Sequence, residues 1–252
     1  RRITTRKRPG TVAICAAIMN RFKVDAVPHL ICGGFSKEET ENALIDLHFL
    51  GIDNVLVLRG DNLKHETSFV PQPDGNQNAL ELLQQVDRMN QGRYMDDELV
   101  NATATNFCIG VAGYPEKHHD APNLKADIRW LKQKVKAGAK FITTQMFFDN
   151  KAYFDFVATC RKEGIDIPII PGIKPLATLK QITLLPKVFH IDIPEALADA
   201  VEQAPNEQAV RQIGIEWAIE QCRELKAAGV PVLHFYTMGK SQATKRIAEA
   251  VF

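Results

Sequence analysis

The sequence predicts an α/β protein built on a parallel sheet, on three observations. Short apolar runs alternate strictly with segments of helical period along all 252 residues. The apolar runs end repeatedly in polar or bulky groups, at the strand ends where parallel α/β proteins place their chemistry. No linker or internal repeat interrupts the order, so residues 1–252 read as a single domain.

The elements follow in order. After a basic, polar start (RRITTRKRPG), Thr11 to Phe22 reads as a helix, with Val12, Cys15, Ala16 and Met19 at helical spacing. The run Ala26 to Cys32 (AVPHLIC) reads as a strand containing His29. Ser36 and Glu39 form a capping-box pattern that opens a helix closed by Gly51. Asn54 to Leu58 is the next strand and leads into Arg59-Gly60-Asp61. Asn62 to Asn76, with Pro71, Pro73 and Gly75, is a loop; Asn78 to Met89 is a helix; Asn90 to Asn106 is a polar insertion. Strand Phe107 to Val111, helix Leu124 to Ala137 and strand Lys140 to Gln145 come next. Helix Lys151 to Glu163 closes at Gly164, and the short strand Ile167 to Ile170 stops before Pro171-Gly172. Thr178 to Leu185 and Pro194 to Gln203 read as short helices, and Asn206 caps a long helix running to Ala228. Val232 to Tyr236 is the last strand, and Ser241 caps the final helix.

That makes six strands, whereas a closed (β/α)8 barrel needs eight. The expectation is a barrel lacking two βα units ahead of Arg1. Its open edge would expose apolar surface and leave this chain alone unstable or inactive.

Lys plus Arg number 31 and Asp plus Glu 30, a balance that gives no reason to expect a nucleic-acid or membrane-surface partner. No apolar run is long enough to span a bilayer. The five cysteines are dispersed and never form a Cys-x-x-Cys pair, which points to a reducing cytoplasm rather than a disulfide framework or zinc site. The Gly-x-Gly-x-x-Gly fingerprint and the Gly-x-Ser-x-Gly elbow are both absent. Gly239-Lys240-Ser241 has a P-loop's tail, but His234 stands at its first glycine position. His29, Asp61, His118 and His234 suit zinc or iron chemically but lack ligand spacing, so no metal is expected. The basic run Lys125, Lys132, Lys134, Lys136 and Lys140 reads as a solvated face. Alternatively, Lys134 with Asp127 and His118 meets a phosphate-bearing cofactor.

Six motifs in order carry a resemblance. They are Leu58-Arg59-Gly60-Asp61, Ala112-Gly113-Tyr114-Pro115-Glu116-x-His118, Lys134-Val135-x-Ala137-Gly138-Ala139, Thr144-Gln145-x-Phe147-Phe148-Asp149, Ile170-Pro171-Gly172-Ile173 and His234-Phe235-Tyr236-Thr237. Together they resemble the methylenetetrahydrofolate reductase family, in its bacterial, FAD-dependent type. The resemblance implies a TIM (β/α)8 barrel holding non-covalent FAD. It also implies ping-pong hydride transfer from NADH or NADPH through the flavin to 5,10-methylenetetrahydrofolate, giving 5-methyltetrahydrofolate for methionine synthesis. A homo-oligomer is the expected assembly. By the same resemblance, Asp61 sits near the flavin pyrimidine edge and tunes hydride donation. His29, Arg59, Gly60 and Tyr114 cradle the flavin, and His118, Asp127 and Lys134 hold its ribose or pyrophosphate. Gln145 bonds the pterin or nicotinamide, and Gln181 and Lys240 contact substrate. The family's general-acid glutamate and the flavin-contacting threonine of the second strand have no counterpart here. Gln133, Trp130 and Met238-Gly239 also depart from the pattern. Two other readings stand beside this one: a metal-dependent barrel hydrolase using His29, Asp61 and His118, and a non-catalytic flavin- or folate-binding barrel remnant.

Overall fold

A computed structural model describes residues 9–60 and 69–252. Asp61 and residues 62–68 of the expected 62–76 loop lie outside the described residues. The chain divides into two compact units, one comprising residues up to 112 with 132–142, the other 113–131 with 143–252.

The first unit holds α1 (Thr11–Phe22), β1 (His29–Ile31), α2 (Lys37–Phe49), β2 (Asn54–Leu58), α3 (Ala79–Asn90) and nearly all of β3 (Cys108–Gly113). β1 and β2 run parallel with His29 opposite Leu56, and β2 and β3 run parallel with Val55 opposite Ile109. The capping box of α2 forms as read. Ser36 Oγ accepts the Glu39 N–H at 3.0 Å, and the Glu39 carboxylate accepts the Ser36 N–H at 2.8 Å. Asn78 caps α3 by accepting the N–H groups of Leu80 and Glu81. α3 turns Leu82, Leu83, Val86 and Met89 into the core, where each is fully buried. The segment after α3 has no regular structure but is tied down. The Asn90 side chain donates to Phe107 O and accepts from the Phe107 N–H and the Thr105 hydroxyl.

α4 (Leu124–Lys136) and β4 (Phe141–Met146) each belong partly to both units. The second unit then holds α5 (Asn150–Lys162), β5 (Ile169–Ile173), α6 (Gln181–Phe189), α7 (Glu195–Glu202), α8 (Glu207–Ala227), β6 (His234–Phe235) and α9 (Gln242–Val251). Its core gathers Met146, Phe148, Leu176, Leu185, Ile191, Leu197, Val201 and Val210. The strands lie in one sheet in chain order, β1 to β6. This is the parallel α/β architecture that the alternation predicts.

Several boundaries differ from the sequence reading. β1 begins only at His29, because Pro28 has no N–H to give to a ladder. His29 therefore opens its strand instead of ending it. β5 continues through Pro171-Gly172 to Ile173. There Thr144 Oγ1 accepts the Gly172 N–H at 2.9 Å, and Gly172 pairs with His234. A Cβ on Gly172 would fall 2.4 Å from Thr144 O, so only glycine lets the strands close. Gln145 lies inside β4, and β6 is reduced to two residues. α6 starts at Gln181, not Thr178, and runs past Pro186 to Phe189. Ser241 occupies the N-cap position of α9 but in helical backbone conformation, and its hydroxyl makes no capping bond.

All five cysteines are free thiols, and burial pushes Cys32, Cys160 and Cys222 up to about 12, so they are unreactive packing residues. Among the described residues no helix is long and apolar enough to cross a membrane.

Candidate functional site

In the first unit, Arg59 and Gly60 leave the carboxyl end of β2. The Arg59 guanidinium lies 5.3 Å from the Phe69 ring centroid, a cation–π distance that orients the fork. Gly60 has φ +89, in the left-handed region that glycine enters without strain. His29 is exposed as a residue, yet surrounding protein partly desolvates its ring and lowers its pKa, favouring the neutral imidazole. Lys134, on α4, donates from Nζ to Ala112 O at 3.2 Å, which draws the ammonium to the carboxyl end of β3. The unit thus carries a guanidinium, an ammonium and a neutral histidine from the predicted set.

In the second unit, the loop after β3 is built around His118. The Tyr114 ring meets the His118 ring edge-on, with centroids 4.6 Å apart. Asp127, in the first turn of α4, accepts the His118 backbone N–H at 2.9 Å. His118 Nδ1 accepts the Asp120 N–H at 3.1 Å, which in the neutral ring puts the proton on Nε2. Tyr114, His118 and Asp127 are therefore one connected group. His119 stacks between His118 and His190, at 4.5 and 4.6 Å. Glu116 reaches the α6–α7 connection and accepts the Asp192 N–H at 3.0 Å.

The other expected contacts are placed differently. Gln145 folds its own Oε1 onto the Met146 N–H at 3.0 Å. Gln181 spends its Oε1 on the N–H groups of Ala177 and Thr178, at 2.7 and 3.3 Å. In each, the oxygen closes a local turn, which takes one of its two lone pairs. Lys240 is exposed in the turn before α9, where its N–H bonds Thr237 O. The cluster of metal-ligating groups among the described residues is His118, His119 and Asp120, with ligating atoms within 4.8 Å of one another, rather than the set weighed from sequence.

Sequence reasoning passed over three residues. Lys174, just beyond β5, is 7% exposed. Tyr236 donates its hydroxyl to Thr144 O at 2.8 Å, and burial pushes its pKa up to about 12, so it stays protonated. Glu116 is raised by burial to about 7. The only available signal was position: Lys174 and Tyr236 follow or end strands, and Glu116 lies inside a quoted motif. A cleft of about 1130 Å³ along α5, α7 and α8, lined by Phe148, Ile213, Trp217 and Glu220, contains none of the predicted residues.

A family model for methylenetetrahydrofolate reductase matches residues 3–251. The chain belongs to that family. It is 37% identical over 242 residues to methylenetetrahydrofolate reductase 1 of Schizosaccharomyces pombe, covering 96% of this chain and 37% of that protein. It is 36% identical over 243 residues to methylenetetrahydrofolate reductase (NADH) 1 of Zea mays, covering 92% of this chain and 39% of that protein. Identity to the 5,10-methylenetetrahydrofolate reductase of Pectobacterium carotovorum is 29% over 248 residues, with 97% of this chain and 76% of that protein covered. The chain thus spans little more than a third of the first two relatives' length. Its identity to the bacterial reductase is lower than to either. Within the methylenetetrahydrofolate reductase family frame, the connected group Tyr114, His118 and Asp127 falls on one of the six motifs and on the helix that follows it.

Proposed function

We propose that this chain is the flavin-bearing catalytic part of a methylenetetrahydrofolate reductase that reduces 5,10-methylenetetrahydrofolate to 5-methyltetrahydrofolate with NADH or NADPH. The observation that carries the reading is the family match across residues 3–251, on a parallel α/β chain. We read residues 1–252 as one domain, with the six strands part of an eight-stranded barrel.

The residues present suit FAD. His118 supplies an imidazole, and Lys134 and Arg59 supply charge for phosphate or for the electron-rich ring edge. Gly60 lets backbone come close without a Cβ. When bound, the flavin accepts a hydride from the nicotinamide and delivers it to the folate, one substrate leaving before the other enters. The chain's own residues bind and orient. Tyr114 packs the loop that presents His118, Asp127 fixes that loop's backbone, and the Gln145 NH2 donates to a pterin or nicotinamide carbonyl. Asp61, outside the described residues, keeps the role the resemblance implies. Free buried thiols suit a reducing cytoplasm, and the exposed Phe22 and Phe49 suit assembly with further copies.

The test is the visible absorption spectrum of purified protein, before and after adding FAD and then NAD(P)H. Flavin bands that bleach with the nicotinamide, and recover with the folate substrate, are expected. A protein that takes up no FAD at any concentration would remove the flavin reading.

A further inference from the structure

Lys174 is the first residue beyond the carboxyl end of β5, and 93% of it is covered by protein. Among the described residues its ammonium has no hydrogen-bond or ion-pair partner. Nor is Nζ among the polar atoms both sealed from solvent and unpartnered, so the tip keeps an opening. Taking a lone ammonium out of water is strongly unfavourable. Desolvation accordingly lowers the Lys174 pKa. A long lysine stem that merely covers apolar surface, with its head in water, would account for partial burial. It would not account for a lysine whose backbone is fixed on both sides. Ahead of it, Ile173 is fully buried and its carbonyl accepts the Tyr236 N–H at 2.9 Å. Behind it, Leu176 is in the core, and its carbonyl lies where a Cβ on Gly214 would come within 2.1 Å. The next two N–H groups, of Ala177 and Thr178, are held by Gln181 Oε1.

A positioned charge left unmatched by the protein is matched by a ligand. Its place, past the carboxyl end of a parallel strand, is where α/β proteins receive ligands. We propose that Lys174 is an anion-binding residue of the substrate site and pairs with a carboxylate or phosphate oxygen of the ligand. Which ligand supplies that oxygen rests on the reductase reading: a folate through its glutamate carboxylate, or a nicotinamide dinucleotide through its phosphates. The anion site itself does not depend on that reading.

The full chain and its Lys174→Met, Lys174→Gln and Lys174→Arg variants are titrated calorimetrically with inorganic pyrophosphate and, separately, with p-aminobenzoylglutamate. At least one probe is expected to bind the natural chain. That binding should weaken tenfold or more in the Met and Gln variants and stay within a few-fold in the Arg variant. Loss confined to pyrophosphate assigns the residue to the dinucleotide, loss confined to p-aminobenzoylglutamate assigns it to the folate, and loss of both leaves a shared anion site. The Met variant without ligand should also melt above the natural chain, since an unmatched charge has gone. Should Met perturb folding, the Gln variant carries the test. The proposal is overturned if neither probe binds the natural chain, or if the Met and Gln variants bind as it does. Neither result depends on flavin uptake, so failure of the reductase reading would show separately in the absorption spectrum.

Discussion

Glu116 Oε2 accepts the backbone N–H of Asp192 at 3.0 Å, tying the loop after β3 to the connection between α6 and α7. The hydrogen bond favours the ionised carboxylate, but burial outweighs it and raises Glu116 from 4.5 to about 7, with Asp192 and Asp149 adding repulsion. Between those two values the folded chain keeps a proton that the unfolded chain has lost. This contribution to stability is therefore greatest at acid pH and declines as pH rises from 4.5 through about 7. Glu116→Gln retains an acceptor for Asp192 and cannot ionise. Thermal melts should show the variant matching the natural chain near pH 5 and exceeding it near pH 8. Equal melting at both would remove the coupling.

Asn90 makes three hydrogen bonds that set the entry into β3. Asn90→Ala leaves the Phe107 N–H and C=O without their partner, and a loss of about 2–3 kcal/mol is expected by urea denaturation. Asn78→Ala removes only the α3 cap and should cost about 1 kcal/mol. If the two losses came out alike, the bridging role of Asn90 would be wrong.

Gly214 lies on α8, where an added Cβ would come within 2.1 Å of the Leu176 carbonyl oxygen, a backbone atom that cannot swing aside. Gly214→Ala should destabilise by about 1–3 kcal/mol or more through overpacking. Gly10→Ala, where the added carbon meets nothing, should stay within about 0.5 kcal/mol. Chemical denaturation of the pair measures the contrast.

Asp127 positions His118 through its backbone N–H. Asp127→Ala should weaken FAD binding roughly tenfold, about 1.4 kcal/mol, without shifting the absorption maximum of what remains bound. Asp127→Asn keeps an oxygen acceptor and should recover most of the affinity. Fluorescence titration of flavin reads both; an alanine variant with unchanged affinity would separate this aspartate from the cofactor.

Much of this protein was legible in its residues because the relevant signals are local. The period of Leu82, Leu83, Val86 and Met89, the Ser36–Glu39 box and the Asn78 and Asn206 caps depend on side chains within a turn or two of one another. They fixed the order and type of the elements. Six dispersed motifs were enough to place the chain in its family. Partners distant in the chain were not legible. Pro171-Gly172 reads as a strand stop, and becomes strand only because Thr144 supplies an acceptor and Gly172 leaves room. Nor does the sequence tell that folding brings the Gln145 and Gln181 oxygens onto backbone N–H groups. Lys174 carried no signal beyond its position, since a lysine after a strand is ordinarily solvated. Composition and spacing determined which elements form and which family they make. Tertiary packing alone decided which polar groups are consumed inside the fold and which, like the largely buried Lys174, pair with none of the described residues, because burial is set by residues far away in the chain.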